Sequence, residues 1–192
     1  KEKKAKLMTI IALLFGLNGF AQHEGHDHGP NEAHAPAAIQ TPKKPTDKEI
    51  DEFLQKTEIK PEHAAKFGRM VIQDDGGRMK PVNTFSSELL RKVSKSDTYR
   101  GLNSDQVFLS MLQFRDAWLQ IPIVFIKKEN DSLRHVLGIG KDKYAPFLSF
   151  FDEQFNYKLA PFLDEAYKAQ VPNKFQQDII DADRKVNLMN SA

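Results

Sequence analysis

The residues of this chain best suited to chemistry are histidines near its N-terminus. Within the string HEGHDHG the histidines are separated by the carboxylates of Glu24 and Asp27. Residues 23–34 contain four histidines, His23, His26, His28 and His34. Neutral imidazole and carboxylate groups are ligands for zinc, copper or nickel, so the tract is a candidate site for a divalent metal. The alternative is a solvated polar tether that binds metal weakly, because a disordered segment must be ordered for every ligand it supplies.

Two more histidines, His63 and His135, lie in the part of the chain expected to fold. His135 stands beside Val136 and Leu137, where a hydrogen-bonded structural histidine is the ordinary interpretation and a metal or haem ligand is the alternative. The sequence contains no cysteine. This absence excludes a thiolate metal site, a cysteine nucleophile and CxxCH haem attachment within the sequence. Because GxSxG and HExxH are also absent, no catalytic constellation is predicted, and we expect the chain not to be an enzyme.

The segment before the histidines predicts export. Four lysines within the first six residues precede an apolar run from Leu7 to Leu17, and Gly19-Phe20-Ala21 follows as a small-x-small pattern. Residues 1–22 are therefore a signal-like segment or the end of a transmembrane helix. Both alternatives place the chain after Ala21 outside the cytoplasm, because basic flanks stay on the cytoplasmic side. Residues 23–45 have no hydrophobic periodicity and are expected to form a flexible spacer.

The overall charge argues against one class of partner. The 192 residues include 28 Lys plus Arg and 26 Asp plus Glu, for a formal net charge of +2. A nearly balanced surface does not provide a basic stripe that neutralises many phosphates. We therefore expect no nucleic-acid partner.

Capping residues predict three helix starts in the folded part. Two are capping boxes, Thr46 with Glu49 and Asn103 with Gln106. The third is the pair Asn83-Thr84, which precedes FSSELLRKVS. Apolar residues follow each start at helical spacing, so each predicts an amphipathic helix.

Two further helices are predicted from proline and from aromatic residues. Pro61 stands at a first-helical position, and His63, Ala64 and Phe67 are expected to share one face of that helix. The stretch Tyr144–Phe155 carries four phenylalanines and predicts a helix with one strongly aromatic side.

The string DDGG at positions 74–77 predicts a β-hairpin, because it separates two short apolar stretches. Either Gly76 or Gly77 is expected to take positive φ, which glycine adopts without steric cost. Pro81 restricts the second strand to a sheet edge or a strand end. The glycines are therefore structural turn residues and not a phosphate-binding loop.

Residues 46–192 are expected to form one mainly α (α+β) domain outside the cytoplasm. Trp118–Ile126 is the best candidate for a strand, and Leu133–Ile139 is either a second strand or a short helix. Pro172 begins a last helix that runs to the end of the chain without a terminator, which predicts that the domain is cut at its C-terminus.

Several uncommon strings occur in an order that resembles one known family. They are HAAKFGRMVIQDDGGRMKPVNTFSSELLRK, GLNSDQVFLSM, YAPFLSFFD, YKLAPFLDEAYK and DADRKVNLM. Together they resemble the segment between the membrane helices of fused ResB/CcsA-type cytochrome c biogenesis proteins of Bacteroidota. The resemblance extends over nearly all of the part expected to fold.

The resemblance implies a part in haem delivery. In that family a membrane complex moves haem to the outer face of the cytoplasmic membrane and presents it to the thiols of apocytochrome c. It implies haem as the cofactor of the full-length protein, with apocytochrome c and the remainder of its own membrane protein as partners. It implies the cytoplasmic (inner) membrane as location, with this domain on the periplasmic side. The family's tryptophan-rich motif and axial histidines belong to the CcsA membrane portion, whereas Trp118 stands alone here, so no haem ligand is carried over. The alternative is a secreted or periplasmic His-rich metal-binding protein.

Deleting His23–Pro36 should remove most zinc and copper binding without unfolding residues 59–192, because the tract has ligands but no large hydrophobic residues to pack. Binding to the intact chain should weaken as the pH falls from about 6.5 to about 5, since protons compete for imidazole. Titration of both chains with zinc, copper and haem checks this. A shortened chain that binds haem as well as its parent would move the ligand to His63 or His135, and one that fails to fold would contradict the tether.

Overall fold

The computed structural model describes residues 44–74 and 76–191. The signal-like segment and the four spacer histidines lie outside the described residues. Within the described part the chain forms helices α1 Asp47–Lys56, α2 Pro61–Gly68, α3 Val82–Ser94, α4 Ser104–Gln113, α5 Arg115–Gln120, α6 Asp131–Leu137, α7 Ala160–Lys168 and α8 Lys174–Asn190. The strands are β1 Val71–Gln73, β2 Met79–Pro81, β3 Thr98–Tyr99, β4 Leu102–Asn103, β5 Pro122–Phe125 and β6 Tyr144–Pro146, and a 3-10 helix spans Phe147–Phe150.

The expected mainly helical fold with a small β component is confirmed, and the β component in the described residues consists of small antiparallel sheets. Among the described strands the pairs are β1 with β2, β3 with β4, and β5 with β6. Helix α3 lies at the centre and packs against α2, α4, α8 and β5. No helix within the described ranges has both the length and the apolar character needed to cross a membrane.

Both predicted capping boxes are present. The Thr46 hydroxyl accepts from the Glu49 N–H at 3.3 Å, and the Glu49 carboxylate accepts from the Thr46 N–H at 2.7 Å. Asn103 and Gln106 make the equivalent pair of bonds at 2.9 and 3.0 Å. Each box satisfies amide groups at a helix start that have no partner inside the helix.

The Asp-Gly hairpin is confirmed as the β1–β2 pair, with Ile72 opposite Lys80. Gly77 has φ of +78°. The Asp74 carboxylate accepts from the Arg78 N–H at 2.9 Å and closes the turn. Pro81 is the last residue of β2, as the missing amide donor requires.

The third predicted cap is wrong. Helix α3 begins at Val82 after an extended Pro81, so Asn83 and Thr84 lie within its first turn. The Val82 N–H donates to the Met70 carbonyl at 2.8 Å, and this hairpin contact fixes where the helix begins. Proline before a helix start supplies the extended conformation that a capping residue would otherwise provide.

The aromatic stretch expected to form a helix instead forms β6 and the 3-10 helix. Tyr144 pairs with Phe125 across the β5–β6 ladder, and Pro146 ends the strand. The chain then turns at Asp152, whose carboxylate accepts from the Gln154 and Asn156 N–H groups at 2.9 and 2.8 Å. Pairing with a distant strand therefore overrides the local helical spacing of the phenylalanines.

The predicted strand from Trp118 to Ile126 is shorter than expected, because Trp118 lies in α5. Proline disfavours the helical conformation in the residue before it. Ile121 is accordingly extended, with φ of −74° and ψ of 126°, and β5 begins at Pro122. The alternative left open for Leu133–Ile139 is resolved as the helix α6, which ends at Leu137 and is capped by Gly138 with φ of +68°.

Replacing Gly77 with alanine should lower the unfolding free energy by about 1 kcal/mol, because an L-residue at this φ is strained. In a chain of this size the corresponding loss in melting temperature is roughly 2–4 °C. Gly77→Asn is the matched control, because asparagine adopts the left-handed region more readily than alanine. Thermal melts of both variants decide, and equal losses would contradict the assigned turn.

Candidate functional site

The two histidines predicted in the folded part are both on the surface. His63 on α2 is exposed, although Ala64 beside it is fully buried. His135 on α6 is also exposed, while Arg134 and Leu137 on either side are buried. Residues 44–74 and 76–191 contain no group of three or more His, Cys, Asp or Glu side chains that could hold a metal ion. The structure therefore brings neither histidine into a multi-ligand centre, and the four spacer histidines lie outside the described residues.

A cleft of about 710 Å³ lies where the described chain begins. Its walls come from the residues before and at the start of α1, the β3–β4 turn, the first residue of β5 and the approach to β6. The lining residues are Lys44, Pro45, Thr46, Asp47, Thr98, Tyr99, Arg100, Pro122, Asp142, Lys143 and Tyr144. The predicted spacer therefore enters the folded domain at this cleft.

Arg100 shapes one wall of the cleft. It has φ of +48° and is followed by Gly101 with φ of +85°, so the β3–β4 strands are joined by a tight two-residue turn. The Arg100 guanidinium donates to the Asp51 carboxylate at 2.6 Å and also to the carboxylate of Asp47. These bonds attach α1 to the turn and offset the cost of a left-handed arginine, which exceeds that of glycine.

Tyr99 forms the buried back of the same wall. Its hydroxyl donates to the Pro122 carbonyl at 3.1 Å, and its ring lies 5.6 Å from the Trp118 ring between centroids. Burial raises the pKa of the Tyr99 hydroxyl to about 12, although the neighbouring Arg100 acts in the opposite direction. The phenol is therefore a neutral hydrogen-bond donor that links the β3–β4 pair to β5.

The basic side chains of the cleft differ in how they are held. Lys44 forms an ion pair with Asp142. The Lys143 ammonium lies 5.1 Å from the Tyr144 ring centroid and 5.8 Å from that of Phe125, within the range of cation–π attraction. The cleft thus offers cations and aromatic surface for non-covalent contact with an anionic group, although carboxylates already neutralise part of that charge.

A second polar cluster is centred on the buried carboxylate of Asp183, on α8. It accepts from the hydroxyls of Tyr157 and Tyr167 at 3.0 and 2.8 Å, and from the Asn187 amide at 3.0 Å. Burial and the nearby carboxylate raise the pKa of Tyr157, so both tyrosines remain donors. Sequence reasoning missed this cluster, although an aspartate on the apolar face of a helix was a usable signal.

The remaining buried charges on α8 also serve structural contacts. Asp178 accepts from the Lys127 ammonium at 2.8 Å and the Asn130 amide at 3.1 Å. The Lys185 ammonium donates to the Phe125 carbonyl at 2.8 Å, and burial lowers its pKa. In the described part, no buried side-chain nitrogen or oxygen lacks a hydrogen-bond partner. These groups are therefore engaged in holding elements together.

Comparison with known proteins gives one informative similarity. No family model matches the chain. Over 124 residues the chain is 32% identical to Protein NrfI of Wolinella succinogenes. The aligned stretch covers 64% of this chain but only 14% of Protein NrfI. The similarity therefore concerns a small segment of a much longer protein.

Tyr99→Phe should lower the unfolding free energy near neutral pH by about 1 kcal/mol, through loss of the bond to Pro122. The folded-state pKa is raised from 10.0 to about 12, so the stabilisation is complete below pH 10 and is lost as the pH rises through about 12. As the pH rises from about 9 to about 11.5, the unfolding free energy of the parent should therefore fall by roughly 2 kcal/mol more than that of the variant.

Urea unfolding at several alkaline pH values measures this difference. Leu102→Val is the matched control, because Leu102 pairs with Tyr99 in the same hairpin and carries no ionisable group. The control should keep the parental dependence on pH, and a Tyr99→Phe variant that also keeps it would contradict the assigned burial.

Proposed function

We propose that this chain is the extracytoplasmic part of a membrane-anchored cytochrome c biogenesis protein of the ResB/CcsA kind. In this proposal it is an assembly factor with no active site of its own. It supports delivery of haem to apocytochrome c through contacts with the rest of its own membrane protein and with the apocytochrome. Haem would be handled by the longer protein, at the cytoplasmic membrane, with this domain on the periplasmic side.

The observation that carries the proposal is the similarity to Protein NrfI over 124 residues. It supports a role in cytochrome c maturation at a general level. The ordered strings between His63 and Met189, which resemble the ResB/CcsA-type family, support the finer assignment. Because the chain spans 14% of Protein NrfI, the activity of a whole protein of that length would need further segments.

The use made of the buried polar groups fits a scaffold better than a catalyst. An active site usually needs perturbed ionisable groups that converge on an accessible cleft. The buried ionisable groups of Asp178, Asp183 and Lys185 are instead bonded to other elements of the domain. The one buried tyrosine of the described cleft wall, Tyr99, has its hydroxyl bonded to the Pro122 carbonyl. In this proposal the described part contacts its partners through its exposed surface, as an assembly factor does.

The N-terminal tract is what favours the second candidate, a secreted or periplasmic His-rich metal-binding protein. Its four histidines and the carboxylates between them are possible ligands for a metal ion. The two candidates assign the function to different parts of the chain. Biogenesis depends on residues 44–191, whereas metal binding depends on residues 23–34.

An in-frame deletion of residues 44–191 from the chromosomal gene should abolish covalent haem attachment to c-type cytochromes. Haem staining after denaturing electrophoresis measures attached haem, and difference spectra of b-type cytochromes control for haem synthesis. Deletion of residues 23–36 should leave attachment largely intact, because the folded domain is retained. Val171→Ser, a change at a residue 90% exposed, is the control for altering this gene.

Normal c-type cytochromes in the strain lacking residues 44–191 would reject the biogenesis role. Sensitivity to zinc or copper in the strain lacking residues 23–36, with cytochromes normal in both strains, would favour the metal-binding candidate instead.

A further inference from the structure

The outward face of the β1–β2 hairpin is unusually apolar. In this pair Val71 is opposite Pro81 and Gln73 is opposite Met79, and all four residues are exposed. Val71 is 56% exposed and Met79 is 67% exposed, and Met70 just before the strand is 57% exposed. The exposed face of an antiparallel pair is ordinarily polar. Three of the four paired residues are apolar, and we call the surface formed by Val71, Gln73, Met79 and Pro81 the hairpin face.

The inward side of the hairpin is fixed, so the hairpin face cannot be buried by a simple rotation of the strands. Ile72 packs against the main hydrophobic core. The Lys80 ammonium lies 3.3 Å from the carboxylates of both Asp74 and Glu88, which joins β2 to α3. A strand register that buried Val71 would expose Ile72 and separate these ion pairs.

Basic residues adjoin the hairpin face along the chain. Lys66 and Arg69 at the end of α2 are exposed, and the Arg78 side chain is 82% exposed. From position 66 to 80 the sequence has four basic residues, Lys66, Arg69, Arg78 and Lys80, and two acidic ones, Asp74 and Asp75, for a net charge of +2. The Asp74 carboxylate is already engaged by Arg78 and Lys80. An apolar centre with a basic margin complements a surface that is apolar inside and anionic outside.

We propose that the hairpin face docks on an anionic lipid bilayer. The apolar side chains enter the boundary between headgroups and acyl chains, while Lys66 and Arg69 contact lipid phosphates. Apolar area and basic charge act together in interfacial binding of this kind. The inference goes beyond the proposed function and does not depend on it, because it rests on the exposure and charge of the hairpin alone.

The absence of cysteine from the chain allows a position-specific test with the full chain. A single cysteine is introduced as Met79→Cys and labelled with an environment-sensitive nitrobenzoxadiazole dye. The matched control is Val171→Cys, at another exposed apolar residue, in the segment between α7 and α8. Labelled proteins are mixed with vesicles of phosphatidylglycerol and phosphatidylcholine in equal amounts, and with vesicles of phosphatidylcholine alone.

On the anionic vesicles the dye at position 79 should shift its emission to the blue and be quenched by lipid-borne nitroxide, while the dye at 171 should do neither. This comparison separates hairpin docking from attachment through the apolar segment near the N-terminus, which would bring both dyes to the vesicle without inserting either. Replacing Lys66 and Arg69 with glutamine should weaken the response at 79 about tenfold or more in lipid concentration. Replacing Lys48 and Arg184, two exposed basic residues elsewhere, with glutamine should leave it unchanged.

Three outcomes would overturn the proposal. If the dye at position 79 keeps the emission it has in water on both vesicle types, the hairpin face does not bind lipid and would be assigned to contact with a protein partner. Equal shifts at 79 and 171 would show insertion without a preferred face. A response at 79 that is equally strong on phosphatidylcholine alone would remove the role of anionic lipid.

Discussion

The buried ionisable side chains of α8 constrain how the described part of the chain closes. Asp183 receives two tyrosine hydroxyls, Asp178 binds a lysine and an asparagine, and Lys185 donates to a backbone carbonyl of β5. A buried charge without a partner is costly, so the segments that supply these partners must all lie against α8. Through them α8 fixes β5 and the loop after it, and it fixes both ends of the segment that contains α7.

The position of β5 in turn determines the cleft at the start of the described chain. Pro122 is the first residue of β5 and its carbonyl accepts from Tyr99, which holds the β3–β4 turn in place. Arg100 in that turn then binds the first helix through two aspartates. A chain of directed polar contacts therefore runs from the last helix to the point where the predicted spacer would join. Such contacts specify one arrangement of elements more sharply than apolar packing alone, which tolerates substitution and slippage.

The buried polar groups of the described part form bonds within the domain, and two kinds of surface remain exposed. The cleft presents cations and aromatic rings, and the hairpin face presents exposed apolar side chains within a basic margin. Both surfaces offer groups for non-covalent contact with other molecules. The stretch aligned with Protein NrfI is 14% of that protein.

The sequence by itself determined the features whose partners lie within a few residues. These include both capping boxes, the hairpin turn with positive φ at Gly77, and the mainly helical class. Tertiary structure decided that Trp118 is helical and that the aromatic stretch pairs with β5. It also decided that His63 and His135 are exposed and which groups bind Asp183. A cap is settled by bonds across three residues, whereas Tyr157 and Asp183 are 26 residues apart and Phe125 and Lys185 are 60 apart. Contacts at such separations depend on how the whole chain packs, which local spacing does not encode.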